Sequence, residues 1–276
     1  MRKLLLLLIL IPLFGVGQFL PIKMDYSKFF HVNKIKQCND RSFVLLGRFH
    51  KGYPISGGGT RYLYYGVLSK TNFYGELIWS KVLDERKPNY FGDIQICSDG
   101  GYIIVGESAV ESDFNSTITR ATLFKTDVDG NLLWKKYFEG DINLIQICSD
   151  GGFIVAGTSD ANVYLFKTDR NGNLLWEKKF GGSGYDCANS LQICSDGGYI
   201  IAGQSENHAS LYKTDIDGNL LWQKKISKTT KSESARSLQI CSDGGFIFLK
   251  GNYNNWGKIE SYTSSFCSLL KYTKAK

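Results

Sequence analysis

The chain is poor in the residues and spacings that most catalytic sites require. It has three histidines among 276 residues, and His31, His50 and His208 share no motif. The spacings typical of serine hydrolases, zinc proteases and zinc-binding cysteine pairs do not occur. The sequence therefore disfavours nucleophilic and metal-dependent catalysis.

Proline and clustered positive charge are also scarce. Four prolines stand against 30 glycines, which indicates many tight turns rather than long helices. An apolar content of 43% and an aromatic content of 14% are enough for a large ordered core. The net charge of +7 is spread along the chain without a basic stripe, so nucleic acid is not an expected partner.

Long apolar runs are confined to the N-terminus. A basic start at residues 1–3 precedes an apolar run at residues 4–14, which is too short to span a bilayer comfortably. Gly15 and Gly17 then form a small-x-small cleavage pattern. We predict a signal peptide at residues 1–17 and an exported mature chain without a membrane span, in the periplasm, on the cell surface or outside the cell. A retained anchor helix is the alternative.

Two phrases recur along the rest of the chain. The phrase QICSDGG begins at four glutamines, and KTDxxGNLLW ends at three tryptophans, with a looser copy, KTNFYGELIW, ending at a fourth. Successive copies are roughly 50 residues apart, a length that four short strands and their connections fill. A fixed period of this size is typical of propellers and other repeat proteins.

Each copy divides into four strand signals separated by turns. In the fourth copy, strands are predicted at residues 190–195, 199–204, 209–214 and 219–226, with glycine-containing turns after the first and third. Four antiparallel strands make a propeller blade. We therefore predict an all-β fold, a single five-bladed β-propeller over residues 18–276.

The two ends of the chain are predicted to complete one blade together. Residues 24–29 resemble a fourth strand, with Tyr26 in the place of the repeated tryptophan, whereas the last copy stops after a third strand near residues 269–273. Placing the spare strand in the gap removes two open sheet edges. The last blade is thus expected to be closed by the N-terminal strand.

The KTDxxGxxxW phrase resembles the tryptophan-docking repeat of quinoprotein-type, or PQQ-like, propellers, although the seven-residue step from Asp127 to Trp134 is one shorter. The phrases SDGGYIIAG and DGNLLW are similar to repeats of exported bacterial surface propellers, most of unassigned function. The resemblance implies a propeller fold. The cofactor and calcium ligands of quinoprotein dehydrogenases find no counterpart in this sequence, so no cofactor is expected.

The repeated aromatic and cysteine positions are expected to serve the scaffold. Five aromatic residues are predicted to dock one blade on the next, with a sugar-binding platform as the alternative: Tyr26, Trp79, Trp134, Trp176 and Trp222. The cysteines of the first phrase are predicted to be small buried residues, because equivalent positions in successive blades are too far apart to bridge. Cys187 and Cys267 stand outside this pattern and could pair. The lysines after each tryptophan are predicted to charge an exposed outer edge.

The turns of the second phrase place oxygens at alternate positions, as calcium loops do. The candidate ligands are Asp127, Asp129, Asp215 and Asp217. No acidic residue follows at the closing position of such a loop, and Asp and Asn favour turns by bonding their own backbone. We therefore expect no metal, with weak calcium binding as the alternative.

The strand predicted to line the channel carries a recurrent glutamine and no recurrent acid. Glycoside hydrolysis needs two carboxylates at the reacting bond. The repeat instead offers Gln95, Gln146, Gln192 and Gln239, with Gln37 in the first copy. Single acids near the strand entrances, such as Asp93 and Asp141, keep an enzyme as the alternative.

Function is expected where the copies differ, in the loops between the second and third strands. The candidate ligand-binding residues there are His50, Tyr53, Asp113, Asn115, His208, Tyr253, Asn254 and Trp256. We predict an exported, non-catalytic binding or scaffold module for a protein or a surface glycan. The alternative is an extracellular carbohydrate-active hydrolase or lyase with its site at the channel mouth.

Overall fold

The structure is a computed structural model that describes residues 31–54, 57–84, 89–112, 117–226, 232–242, 245–252 and 267–272. Within these ranges all 19 regular elements are β-strands. They form five antiparallel sheets, here called blades 1 to 5 in chain order.

Each blade is a meander in which every strand pairs with the next one in sequence. Blade 1 contains β1 (His31–Gln37), β2 (Phe43–Pro54), β3 (Thr60–Thr71) and β4 (Leu77–Val82). Blade 2 contains β5 (Asn89–Ile96), β6 (Tyr102–Ser112), β7 (Thr117–Thr126) and β8 (Leu132–Phe138). Blade 3 contains β9 (Asp141–Ile147), β10 (Phe153–Ser159), β11 (Asn162–Thr168) and β12 (Leu174–Phe180). Blade 4 contains β13 (Asp186–Ile193), β14 (Tyr199–Ser205), β15 (His208–Thr214) and β16 (Leu220–Lys225), and blade 5 contains β17 (Glu233–Ile240), β18 (Phe246–Asn252) and β19 (Cys267–Tyr272).

The predicted all-β fold is confirmed, and blades 1 to 4 have the predicted four antiparallel strands. The described part of blade 5 has three strands. Tyr26 and the predicted closing strand lie outside the described residues. The first strand of blade 4 starts at Asp186, earlier than predicted, because Asp186 pairs with Ser205 and its N–H donates to Ala161 O of blade 3 at 2.7 Å.

The first repeated phrase builds the turn between strands one and two. In blade 2 the Cys97 N–H donates to Gly101 O at 2.8 Å, and Asp99 Oδ1 accepts the Gly101 N–H at 2.9 Å. Gly100 has a φ of 78°, a left-handed value that favours glycine. The same bonds recur in blades 3 and 4, so SDGG encodes this hairpin turn.

An ion pair joins the two repeated phrases inside each of the first four blades. The lysine of the third strand reaches the aspartate of the first turn, with Nζ to carboxylate distances of 2.6 to 3.1 Å: Lys70 with Asp40, Lys125 with Asp99, Lys167 with Asp150, and Lys213 with Asp196. The lysine side chains are nearly buried, whereas the aspartates are more than half exposed. The pair therefore ties the turn to the third strand of its own blade.

Acid is expected to weaken this pair. The hydrogen bond from Lys167, helped by the Gly152 N–H, holds the pKa of Asp150 below its ordinary value of 3.8. A carboxyl whose pKa is lower in the folded state adds stability above the unfolded pKa and loses it as pH falls through the folded pKa. Asp150→Asn keeps an oxygen for the Gly152 N–H but removes the charge. We expect this variant to lose up to about 1 kcal/mol of stability near neutral pH, because the pair is partly solvated.

Thermal melts over a pH series check this expectation. Below about pH 4 the wild-type melting temperature should fall more steeply than that of Asp150→Asn. Parallel declines of the two proteins would show that the pair adds no pH-dependent stability.

The tryptophan of the second phrase lies against the following blade. In blade 2 the Trp134 ring centroid lies 6.5 Å from that of Phe153 in β10, and a Cβ at Gly172 would fall 2.6 Å from Trp134 Cη2. The other junctions repeat this geometry, with Trp79 on Tyr102, Trp176 on Tyr199 and Trp222 on Phe246. The turn glycine thus leaves room for the ring of the preceding blade.

The repeated cysteines lie in the same junctions. Cys38, Cys97, Cys148 and Cys194 each pack in the apolar cluster that contains the tryptophan of their own blade. Cys148 is buried, and the others are half-buried free thiols. Burial raises the pKa of Cys97 and of Cys194 to about 11, so both stay protonated at neutral pH. Cys187 is also a free thiol, and the side chain of Cys267 lies outside the described residues.

Several of the lysines that follow the tryptophans, predicted to charge an exposed outer edge, also make specific contacts. Lys136 donates to Asn173 Oδ1 in the next blade at 2.5 Å, and Lys81 donates to Asn131 in the same way. Lys135 donates to Asp84 at 2.7 Å. These bonds connect neighbouring blades at the outer rim.

A β-bulge interrupts the first strand of every blade at nearly the same place. The extra residues are Asn33, Gly92, Asn143, Asn189 and Ser237. In blades 2 to 4 a glycine of the second strand lies beside the bulge, and a Cβ on Gly106, Gly157 or Gly203 would approach a first-strand carbonyl oxygen to 2.0, 2.0 and 1.9 Å. Blade 5 has Lys250 at this place, and its bulge falls one residue further along.

Candidate binding surface

Blade 1 carries a long hairpin that the compact blades lack. Its strands β2 and β3 have 12 residues each and stay paired from Phe43 with Thr71 out to Pro54 with Thr60. The corresponding strands of blades 3 and 4 have 7 residues and close through two-residue turns with positive φ, at residues 160–161 and 206–207. We call residues 48–54 and 60–66 the blade-1 arm.

One face of the arm carries a row of aromatic and cationic side chains. The His50 ring lies between Tyr62 and Tyr64, with centroid distances of 4.9 and 6.0 Å. The Arg48 guanidinium carbon lies 5.1 Å from the centroid of Tyr64 and 5.2 Å from that of Tyr90 in blade 2. These five residues form a continuous row from the arm to the next blade, here called the tyrosine ladder.

The ladder is accessible along its length. Tyr62 is 54% exposed, Tyr64 48% and Tyr90 39%, whereas Arg48 and His50 are half-buried. Alternation along the strands places the arm members of the ladder on one face, because His50 pairs with Tyr64 and Gly52 pairs with Tyr62. A Cβ at Gly52 would fall 3.2 Å from Tyr62 Cε1, so this glycine lets the Tyr62 ring lie across the neighbouring strand.

The opposite face of the arm holds it together. The Tyr53 and Tyr65 hydroxyls are 3.0 Å apart, and the Phe49 and Tyr65 rings stack at 5.4 Å. Burial, strengthened by the hydrogen bond with Tyr53, raises the pKa of Tyr65 to about 12. Two candidate residues from the sequence, His50 and Tyr53, therefore lie on the same arm but on opposite faces.

The other candidates are not brought to the ladder by the described residues. His208 lies in blade 4, where its Nδ1 is 2.8 Å from Glu206 O in a tight turn. Five candidates lie outside the described residues and stay predictions: Asp113, Asn115, Tyr253, Asn254 and Trp256. Sequence reasoning missed Arg48, Tyr62, Tyr64 and Tyr90. For Tyr62 and Tyr64 the signal was the alternation of large side chains in RYLYYG, directly after the glycine run at residues 57–59, whereas Arg48 and Tyr90 lie on other strands and had no such signal.

Side-chain amides on the inner strands donate hydrogen bonds to backbone carbonyl oxygens of the next blade. Gln95 Nε2 donates to Ile145 O in the next blade at 2.8 Å, and Asn33 and Asn189 make equivalent bonds to the following blades. The pairing of β1 with β2 also corrects which residue of the first copy occupies the position of the repeated glutamine. Lys36 pairs with Val44 as Gln95 pairs with Ile103, so Lys36 and not Gln37 holds this position.

One buried acid lies among these inner strands. Asp93 is 8% exposed and its Oδ1 lies 3.9 Å from Lys34 Nζ of blade 1. Burial raises the pKa of Asp93, although the charge of Lys34 acts in the opposite direction. Asp141, the second acid considered from the sequence, is exposed at the start of β9.

An open groove of about 1020 Å³ runs between blades 2 and 3, beside the short connector at residues 139–140. Part of its polar lining is already hydrogen-bonded within the protein. Lys179 bonds Asp160 at 2.7 Å, Lys136 bonds Asn173, and Tyr164 donates to Glu177. The groove therefore leaves fewer side-chain polar groups available to bind a ligand than the ladder does.

The candidate calcium turns use their carboxylates internally. Asp127 Oδ1 accepts the N–H groups of Asp129 and Asn131 at 3.0 and 2.7 Å, and Oδ2 accepts the Asn131 side-chain amide. Asp215 makes the same three bonds to residues 217 and 219. In the part of the chain that the structure describes, no group of three or more His, Cys, Asp or Glu side chains could hold a metal ion. No described helix is long and apolar enough to cross a membrane.

Solved structures share this architecture at low sequence identity. The WD40 domain of Pan2 from Neurospora crassa is 13% identical, with a TM-score of 0.58 over 87% of this chain and 62% of that chain. A protein from Lactobacillus plantarum is 12% identical, with a TM-score of 0.51 over 87% of this chain and 84% of that chain. Likeness at these identities shows the propeller fold alone. No curated protein matches the sequence.

A family model gives a more specific match. The PQQ-type repeat model described as outer membrane protein assembly factor BamB matches residues 66–264, which include the repeated phrases of blades 2 to 5. This agrees with the tryptophan junctions and the turn glycines described above. The chain therefore belongs to the family of PQQ-like repeat β-propellers that this model represents.

Proposed function

We propose that this protein is an exported, non-catalytic propeller that binds a protein or glycan partner through the blade-1 arm. The tyrosine ladder carries the proposal, because exposed tyrosines beside a positioned arginine are the side chains that dominate recognition surfaces. The blades supply a rigid base, and the arm is a variation that blades 3 and 4 do not share. The matching family description, which names an envelope assembly factor, supports export and a role in binding.

Loss of the ladder rings tests this proposal. The double variant Tyr62→Ala/Tyr64→Ala should weaken binding at least tenfold, since each lost aromatic contact removes about 1 kcal/mol or more. The measurement is binding of labelled protein to a glycan array and to partners captured from a cell-envelope extract. Tyr74→Ala is the matched control, because Tyr74 is 71% exposed in a turn outside the arm.

Two results would decide against the arm. If the double variant keeps every partner that the wild type binds, the ladder is not the binding surface. If Tyr74→Ala loses partners to the same extent, the effect belongs to the removal of an exposed tyrosine in general.

The alternative is an extracellular carbohydrate-active hydrolase or lyase working at the channel mouth. Asp93 is the observation that favours it, since a buried carboxyl with a raised pKa suits a general acid. A second carboxylate would be needed, and Lys34 and Lys36 are the charged neighbours of Asp93. The lysine environment is more consistent with an ion pair that joins inner strands.

We further propose that residues 1–17 are a signal peptide and that residues 18–276 form one propeller, closed by the N-terminal strand around Tyr26. Support comes from blade 5. β19 has only one strand neighbour among the described residues, which leaves its other edge for a fourth strand.

Removal of residues 18–30 should abolish cooperative thermal unfolding if the N-terminal strand completes blade 5. Tyr26→Ala is the milder companion variant, and we expect its melting temperature to fall, as we also expect on loss of a repeated tryptophan. Circular dichroism melts measure both. An unchanged transition in the truncated protein would disprove the closure.

A further inference from the structure

We propose that the tyrosine ladder binds an acidic polysaccharide, with Arg48 holding a carboxylate and the flanking tyrosines stacking on sugar rings. This inference rests on the proposed function, because it names the partner of the same surface. It depends on three features of the ladder: the environment of Arg48, the spacing of the tyrosines and the absence of backbone groups on the face.

Arg48 is positioned for an anion. Its guanidinium lies over two rings, Tyr64 at 5.1 Å and Tyr90 at 5.2 Å, so its orientation is set before a ligand arrives. Its N–H groups have no hydrogen-bond or ion-pair partner among the described residues, and the side chain is half-buried. A partly desolvated guanidinium with free donors matches the two oxygens of a carboxylate.

The tyrosines form a row rather than a pocket. Tyr62 and Tyr64 stand two residues apart on one face of β3, which spaces them by roughly 6.6 Å. Tyr90 continues the row on the other side of Arg48. A row of exposed rings with a cation between them fits a chain-like ligand that alternates flat apolar faces with negative groups.

The ladder recognises its partner through side chains alone. It lies on a sheet face, and the backbone N–H and C=O groups of β2 and β3 point sideways, either into the β2–β3 pairing or out at the edges of the arm. A peptide laid across this face would find no backbone partners for its own polar groups, which is costly when they are buried. A sugar chain can stack its C–H faces on the rings and leave its hydroxyls in water. The free edges of the arm are where a protein partner would add a strand instead.

The charge of the surroundings agrees with an anionic ligand. Arg48 lies within the row, and the chain's net charge of +7 falls only to +5 (7 − 2) without Arg2 and Lys3 of the proposed signal peptide. Glu107, which lies opposite Tyr90 in the β5–β6 pairing, already takes part in an interaction of its own. A negative group at Arg48 therefore meets an attractive site, and a neutral one gains only the stacking.

The test compares polygalacturonate with its fully methyl-esterified form, which has the same backbone without the charge. Binding is measured by titration calorimetry for the wild type, Arg48→Gln, Arg48→Lys, Tyr64→Ala and the control Tyr74→Ala. We expect polygalacturonate to bind at least about tenfold more tightly than the ester. Arg48→Gln should remove that preference, Tyr64→Ala should weaken both ligands, and Tyr74→Ala should behave as the wild type. Arg48→Lys should restore only part of the preference, since lysine lacks the planar fork.

The outcomes separate this inference from the proposed function. Equal binding of the charged and esterified polymers, or full binding by Arg48→Gln, overturns the acidic ligand. Failure of both polymers to bind, together with an envelope protein that wild type captures and Tyr62→Ala/Tyr64→Ala loses, overturns the inference and leaves the arm as a protein-binding surface. Binding of polygalacturonate that Tyr64→Ala does not weaken places the polymer elsewhere and also overturns it.

Discussion

Replacing Trp134 by alanine should lower the free energy of unfolding by about 3 kcal/mol. The ring lies between blades 2 and 3, against Phe153 and over Gly172, so its removal leaves a cavity at the junction. Blade 3 cannot move in to fill that space, because its own tryptophan docks it on blade 4. Chemical denaturation monitored by circular dichroism measures the loss.

Leu133→Ala is the matched control for this variant. Leu133 precedes Trp134 in β8 and is 59% exposed, so its truncation should change stability by less than about 0.5 kcal/mol. Trp134→Phe should fall between the two. Equal stability of the Trp134→Ala and Leu133→Ala proteins would mean that the tryptophan does not hold the blades together.

Gly157→Ala should destabilise the protein by a similar amount, about 3 kcal/mol, for a different reason. The added Cβ would lie 2.0 Å from Asp141 O beside the bulge of blade 3, and a backbone oxygen cannot move aside cheaply. The first strand would have to shift, which breaks its pairing with β10. Denaturation of the purified variant, or its failure to accumulate as folded protein, checks this.

Gly151→Ala separates the steric effect from the conformational one. Gly151 lies in the first turn of the same blade with a φ of 80°, and the nearest atom to an added Cβ is Arg170 Nη2 at 4.0 Å. The cost there is only that of a left-handed alanine, about 1 kcal/mol. If Gly157→Ala is no worse than Gly151→Ala, the close approach at the bulge does not control stability.

Much of the blade could be predicted because it is local and repeated. The SDGG turn and the DxxGN turn are each specified by residues within one short phrase, and Trp134, Trp176 and Trp222 recur at one place in it. A single copy of the two phrases would not distinguish a propeller blade from another small antiparallel sheet. Four copies with the same order of strand and turn signals leave little choice of architecture.

The bulges and the ladder could not be predicted in the same way. The bulge after Ile142 depends on how β9 meets β10, which no local pattern in DINLIQI reveals. The ladder occurs once, and it joins Arg48 of one blade to Tyr90 of the next, so the alternation in RYLYYG indicated at most its two arm tyrosines and not the whole row. Gln37 stands one residue before Cys38, whereas the later glutamines stand two residues before their cysteines, so counting back from the cysteine gives Lys36, as the pairing does.

The meander topology has a consequence for how this protein folds. Every strand pairing in the described chain joins sequence neighbours, so each sheet can form from one contiguous stretch with a low loop-closure cost. The tryptophan junctions can then be made one after another between finished blades. The proposed pairing of the N-terminal strand with β19 would be the exception, since it joins the two ends of the chain. That closure would be the slowest step of folding, and until it was made the protein would present an open strand edge to other copies of itself.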